Sequence, residues 1–272
     1  MIRKALLTAI AAVSFLLPAV AVAQGTQPQG QRPLQDHATM RADTLIGMPL
    51  KNQQGESLGE VENLMIDVKD GRVAYAVLDL GGWLNLGGKH VVAPLSALRP
   101  QPGERHVTLN VDKDKLRTAP SFPRTRWPDT VERPWLADVY NFYNVRPYAA
   151  PQGGTAEQIP VARATTIMGM DVENAQGEDL GEIEDLMIDM QDGRIAYAGL
   201  AYGGWLGLGE NLAAVPWQAL KFNSDEGDFT LNVDKEKLRA APHFAKDKWP
   251  QTVDRKWLAD VYAYYGARPY WQ

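Results

Sequence analysis

The sequence predicts a mainly β protein with short helices, arranged as two tandem, small, strongly bent antiparallel sheets or barrels, each with a C-terminal helical tail. Three observations predict it. The chain repeats itself: offset by 122 residues, the stretch from Ala42 to Tyr148 aligns without a gap on Ala164 to Tyr270, with roughly 60 of about 107 pairs identical. Within each repeat, short apolar runs alternate with Asp-Gly and Gln-Gly turn signals, the pattern of β-hairpins. At the end of each repeat the apolar period changes from two to the spacing of a helix.

The elements follow in order. Residues 1–23 read as a signal peptide: Arg3 and Lys4, an apolar run from Ala5 to Leu17, then Ala21-Val22-Ala23 as the cleavage site before Gln24. The apolar run is short for a membrane span, and no later stretch reaches that length, so no integral span is expected after cleavage. Residues 24–40, rich in Gln, Gly and Pro, read as a flexible leader. The first domain is placed at 41–149, a linker at 150–162, and the second domain at 163–272.

In the first repeat, Leu45 to Lys51 reads as a strand leading into a Gln-Gln-Gly turn. Val61 lies on one alternation parity and Leu64, Ile66 and Val68 on the other, which predicts a β-bulge; Ile183 against Leu186, Ile188 and Met190 repeats it. Asp70-Gly71 marks a hairpin. Arg72 to Leu78 is apolar or small on both parities, which suits a strand buried on two sides. His90–Leu95 and Val107–Val111 are further strands. Asp112 is placed to cap a short helix through Leu116. Leu136, Val139, Tyr140 and Tyr143 recur at helical spacing, with Pro134 in the first turn. Asn144, or Gly266 in the second copy, stands where a left-handed cap is needed.

Each repeat resembles the PRC-barrel domain. The resemblance rests on Gly47, the Gly55 turn, Leu58-Gly59-Glu60, Asp67, Asp70-Gly71-Arg72, Tyr75, Gly81-Gly82 and Pro94. It returns in Gly169, Gly177, Leu180-Gly181-Glu182, Asp189, Asp192-Gly193-Arg194, Tyr197, Gly203-Gly204 and Pro216. The tails ending in Tyr-x-x-Arg-Pro-Tyr are similar to those of exported bacterial members. The resemblance implies a six-stranded barrel that docks on other macromolecules, and implies no catalytic residues.

Composition narrows the function. Without residues 1–23 the chain carries 26 Lys+Arg against 33 Asp+Glu, a net charge of −7, which disfavours nucleic acid as a partner. With no cysteine, disulfides, thiolate metal sites and Cys nucleophiles are excluded. The duplication serves as an internal control, since chemistry shared by both copies needs residues present in both. His90, His106 and His243 face Leu212, Asp228 and Ser121, and His37 lies in the leader, so the histidines read as surface or incidental residues. Glu60, Glu62, Asp67 and Asp70 do recur, as Glu182, Glu184, Asp189 and Asp192, but lack the spacing of a calcium loop and read as turn and outward strand positions. The loop Gly81 to Lys89 fails as a phosphate cradle because Trp83 stands where the first glycine belongs and His90 replaces the Ser or Thr.

The recurring aromatics are the remaining candidates. Trp83 and Trp205, with Gly82 and Gly204 beside them, sit on glycine-rich loops; Trp135, Trp257, Tyr148 and Tyr270 lie in the tails. Either they pack on their own domains or they anchor an interface, where Trp is over-represented. The expected function is an exported, periplasmic or secreted, non-enzymatic binding or scaffold protein that docks protein partners in the cell envelope, with no cofactor and no metal. A small-ligand carrier for a pigment or metal, or a carboxylate-dependent hydrolase using Glu60 and Asp67, are the alternatives.

Overall fold

The structure, a computed structural model, describes residues 38–81, 88–101, 103–147, 158–202, 211–224, 226–250 and 253–272. In chain order the first repeat gives β1 (Thr39–Arg41), α1 (Ala42–Leu45), β2 (Pro49–Lys51), β3 (Ser57–Asp67), β4 (Arg72–Asp79), β5 (Lys89–Ala93), β6 (Leu98–Pro100), β7 (Val107–Leu109), α2 (Lys113–Leu116), β8 (Ser121–Pro123), β9 (Thr130–Glu132) and α3 (Arg133–Phe142). The second repeat gives β10 (Gln158–Arg163), α4 (Ala164–Ile167), β11 (Asp171–Glu173), β12 (Asp179–Asp189), β13 (Ile195–Tyr202), β14 (Asn211–Val215), β15 (Leu220–Asn223), β16 (Asp228–Leu231), α5 (Lys235–Arg239), β17 (His243–Ala245) and α6 (Arg255–Tyr264).

Each half is built on one sheet. The first runs β6-β7-β2-β3-β4-β5-β8 and the second β15-β16-β11-β12-β13-β14-β17. The pairing is antiparallel except for β2 with β7 and β11 with β16, which are parallel, a departure from the all-antiparallel expectation. The long central strands β3 and β12 carry the predicted bulge: the β3–β4 register shifts between Val61 and Asn63 and again between Met65 and Ile66, and β12 repeats this between Ile183 and Asp185 and between Met187 and Ile188. Gly59 shows why the bend needs glycine. A Cβ there would lie 1.9 Å from the Asp79 carbonyl oxygen, and Gly181 meets Ala201 in the same way.

The two halves exchange their opening strands. β10, from the second repeat, pairs with β3 and β9 of the first half, Val161 opposite Asp67 and Ile159 opposite Val131. β1, from the first repeat, pairs with β12 of the second half, Thr39 opposite Asp189. In both halves the borrowed strand lies along the edge of the central strand that faces away from its hairpin partner. The sequence boundaries therefore need correction. Residues 158–162 belong to a strand rather than to a linker, and 39–40 to a strand rather than to the leader. Leu45 also departs from expectation. It closes the helical turn α1, and strand structure begins only at Pro49.

One continuous apolar cluster runs through both halves, from Leu50, Leu64 and Leu95 to Val172, Leu186 and Trp217. A second core in each half lies under its helical tail: Tyr75, Val77, Val139 and Tyr140 in the first, Tyr197, Leu258, Val261 and Tyr262 in the second. β4 is buried on both faces, as its double apolar parity predicts. The tails dock by one repeated hydrogen bond, in which the Tyr140 hydroxyl donates to the Ala74 carbonyl and that of Tyr262 to Ala196, each at 3.1 Å. Pro134 lies in the first turn of α3, and Asn144 and Gly266 end the tails at φ of 54° and 65°.

Candidate functional site

The Asp-Gly-Arg hairpin tips of the two halves meet each other. Asp67 organises the first tip: its Oδ1 accepts from Lys69 N at 3.0 Å and Asp70 N at 3.1 Å, and Gly71 completes the turn at φ +65°. Asp189 does the same in the second tip, accepting from Gln191 N and Asp192 N. The tips are then joined by backbone, Val73 N to Gly193 O at 2.8 Å and Ile195 N to Gly71 O at 2.9 Å. Arg72 Nη1 donates to the Asp192 carbonyl (2.7 Å), while Arg194 Nη1 donates to the carbonyl and carboxylate of Asp70 (3.0 Å each). Trp217 closes the junction, donating from its indole to the Val68 carbonyl at 3.1 Å and packing on Gly71, where a Cβ would lie 2.2 Å from its ring. Leu95 occupies the equivalent place over Gly193.

The borrowed strands are fixed by a second pair of junctions. On the first half, Arg163 lies over the Trp127 ring, 5.2 Å from its centroid, and Asn63 Nδ2 donates to Thr165 Oγ1 at 2.8 Å. On the second half, Arg41 lies over Trp249 at 4.8 Å, and Asp185 takes the place of Asn63. Arg41 Nε donates to Asp185 Oδ2 at 2.7 Å and also pairs with Asp43. Asp43 N and Leu186 N donate to Asp185 Oδ1 at 3.3 and 2.7 Å. Burial raises the Asp185 carboxyl to about 6, with the nearby Asp43 carboxylate adding to the shift against the opposing pull of Arg41.

The sequence-predicted aromatics fall into two sets. Trp83, Trp205, Gly82, Gly204 and Tyr148 lie outside the described residues. Trp135 and Trp257 are half-buried and pack edge-on against Tyr75 and Tyr197, ring centroids 5.5 Å apart in both copies. The Tyr270 hydroxyl donates to Asp189 Oδ2 at 2.7 Å, tying the second tail to the hairpin turn. These three residues thus serve packing within the second-layer cores, and the two indoles keep one partly open face.

His90 corrects the reading of surface histidines. It is only 4 % exposed, on β5, with its ring 5.4 Å from Phe122 and 4.8 Å from Trp127. Desolvation lowers its pKa, reinforced by Arg124. The recurring carboxylates serve structure, Asp67 and Asp189 as turn organisers and Asp70 in the inter-half contact. Glu60 and Asp67 stand seven residues apart on one strand, at most about 23 Å at the ordinary rise of ~3.3 Å per residue. Among the described residues no group of three or more His, Cys, Asp or Glu is placed to hold a metal ion, and no helix is long and apolar enough to cross a membrane.

The PRC-barrel domain matches residues 37–116 and 160–238, more than half of the chain. The chain belongs to the PRC-barrel family. No curated protein matches it. The first PRC-barrel match includes β1 and the second takes in β10 from Pro160 onward, and both stop before the last strands and the helical tails α3 and α6. Sequence reasoning found the Asp-Gly-Arg motifs of the PRC barrel as hairpin turns but missed their second role between the two barrels. It also missed Asp185, whose signal was present: at that aligned position one copy carries a neutral amide and the other an acid.

Proposed function

We propose that this chain is an exported, non-enzymatic docking protein of the cell envelope, in which two PRC barrels form one platform for a protein partner. The observation that carries the reading is the use made of the repeated polar residues. Asp67, Asp70, Arg72 and their copies are consumed in turns and in the barrel-to-barrel junction. With the strands exchanged, the barrels are not two beads on a flexible tether, and a partner meets a composite surface of fixed geometry. The charged start, apolar run and Ala-Val-Ala site within residues 1–23 support export. The charge supports a cationic partner surface over nucleic acid, because residues 38–157 carry 14 Lys+Arg against 14 Asp+Glu whereas residues 158–272 carry 11 against 18.

A photo-crosslinking residue placed singly at Trp83, Trp135, Trp205 and Trp257, with irradiation of intact cells at native abundance, tests this. A discrete adduct heavier than the chain is expected from at least one position. Monomer alone at all four would overturn the reading.

A further inference from the structure

We propose that Asp185 is a proton-operated latch that sets how firmly the borrowed strand β1 is held on the second barrel. β1 is three residues long and pairs with β12 at Met187, Ile188 and Asp189, with one more backbone bond from Met190 N to the Ala38 carbonyl at 3.0 Å. A ladder that short depends on its side-chain anchors. On the first barrel the corresponding anchor is neutral, Asn63 to Thr165, and cannot respond to pH. On the second it is a fully buried carboxylate.

Among the described residues few groups surround that carboxylate. From β1 comes Arg41, and from α1 the Asp43 carboxylate, which shares Arg41. From β13 comes Tyr197, whose buried hydroxyl has no hydrogen-bond partner among the described residues. On its own strand, Glu184 is engaged by Lys246 at 2.8 Å. One cation therefore serves two carboxylates, one of them out of water. Burying an ionised carboxylate is costly unless it is well paired, so the ionised latch is the weaker one. Protonating Asp185 removes the repulsion from Asp43 and frees Arg41 for it.

The direction follows from linkage. The Asp185 carboxyl titrates near 6 in the docked state, against 3.8 for an ordinary aspartate, so docking takes up a proton. The hold is full below about pH 4 and is lost as pH rises through about 6, with a change of roughly tenfold in the docking equilibrium between pH 5 and pH 7. Release uncovers the end of β12, whose free backbone groups form a template for strand pairing.

Hydrogen–deuterium exchange on the full chain, corrected for the intrinsic pH dependence of exchange, measures this directly. Protection of residues 39–43 should fall about tenfold from pH 5 to pH 7, while residues 161–165, the same segment on the first barrel, stay flat. In Asp185→Asn, which copies Asn63 and leaves an amide able to donate to Asp43, residues 39–43 should become flat as well. Equal slopes for the two segments in the unmutated protein would overturn the latch, and this outcome needs no variant to fold. A slope that survives Asp185→Asn would overturn it too.

Discussion

The first and second barrels share a backbone plan and differ at several packing positions, some where they grip each other and some within each barrel. The hairpin turns, the Tyr140 and Tyr262 hooks and the Arg-over-Trp clamps are the same in both. Leu95 faces Trp217, Val77 faces Gly199, His90 faces Leu212 and Asn63 faces Asp185. The Asp-Gly-Arg tips are thus kept, while packing positions within and between the barrels differ. Gly199 illustrates this. A Cβ there would lie 2.4 Å from Trp249, so the missing side chain lets Trp249 sink to 8 % exposure, whereas Trp127 beside Val77 stays half-buried.

The largest break in the comparison should come at the barrel-to-barrel junction. Trp217→Ala removes a side chain that is 2 % exposed, its edge contact with Phe229 and its hydrogen bond to Val68. It should cost about 3–5 kcal/mol in urea unfolding. Leu95→Ala at the matching place removes less surface and no hydrogen bond and should cost less. An equal or reversed order would show that the junction is not centred on the indole.

Gly199→Val makes the second barrel copy the first. The added methyls collide with Trp249, and overpacking of this kind costs about 1–3 kcal/mol. Trp249 should move outward, seen as a red shift of tryptophan emission. An unshifted spectrum with unchanged stability would mean that the glycine is incidental.

The tail tyrosines sharpen the comparison at smaller scale. The Tyr143 hydroxyl donates to the Val92 carbonyl at 2.8 Å, while the Tyr265 hydroxyl is buried without a hydrogen-bond partner among the described residues. Tyr143→Phe should cost about 1 kcal/mol and Tyr265→Phe nothing, or a slight gain, because deleting an unpaired buried polar group removes a desolvation penalty. Thermal unfolding of the two variants side by side decides it.

These contrasts show which features of the fold were legible in the sequence. The bulge in β3, the hairpin at Asp70-Gly71 and the caps at Asn144 and Gly266 have local causes, namely a parity slip, turn chemistry and a positive φ, and local causes leave local marks. Strand exchange leaves no such mark. β1 and β10 are short and share only Arg41 and Arg163 at matching positions, and β3 and β12 offer them closely similar edges, so pattern alone does not say which strand goes to which barrel. The inter-barrel role of Arg72 and Arg194 was hidden for a related reason: the turn already accounted for the whole motif. Trp135 and Trp257, which the sequence left open between packing and an interface, each lie against a buried tyrosine.

His90 gives the finest test, because it opposes Asp185 in sign. Its ring is enclosed by Phe122 and Trp127, and Nδ1 has no hydrogen-bond partner among the described residues. Glu62 and Asp79 attract its charged form, but burial and Arg124 outweigh them, so its pKa falls below the ordinary 6.5. A histidine with a depressed pKa takes up fewer protons folded than unfolded. Its contribution is fully present above pH 6.5 and is lost as pH falls through that value toward the folded pKa. Acid should therefore loosen the first barrel around β5 while it tightens β1 on the second. His90→Leu, which copies Leu212, should change stability little at pH 8, within about 0.5 kcal/mol, as for a swap that preserves packing. The gain over the unmutated protein should then grow from pH 7 to pH 5. A gain that is independent of pH would mean that the folded imidazole takes up its proton as readily as the unfolded one and that the two barrels do not respond to acid in opposite directions.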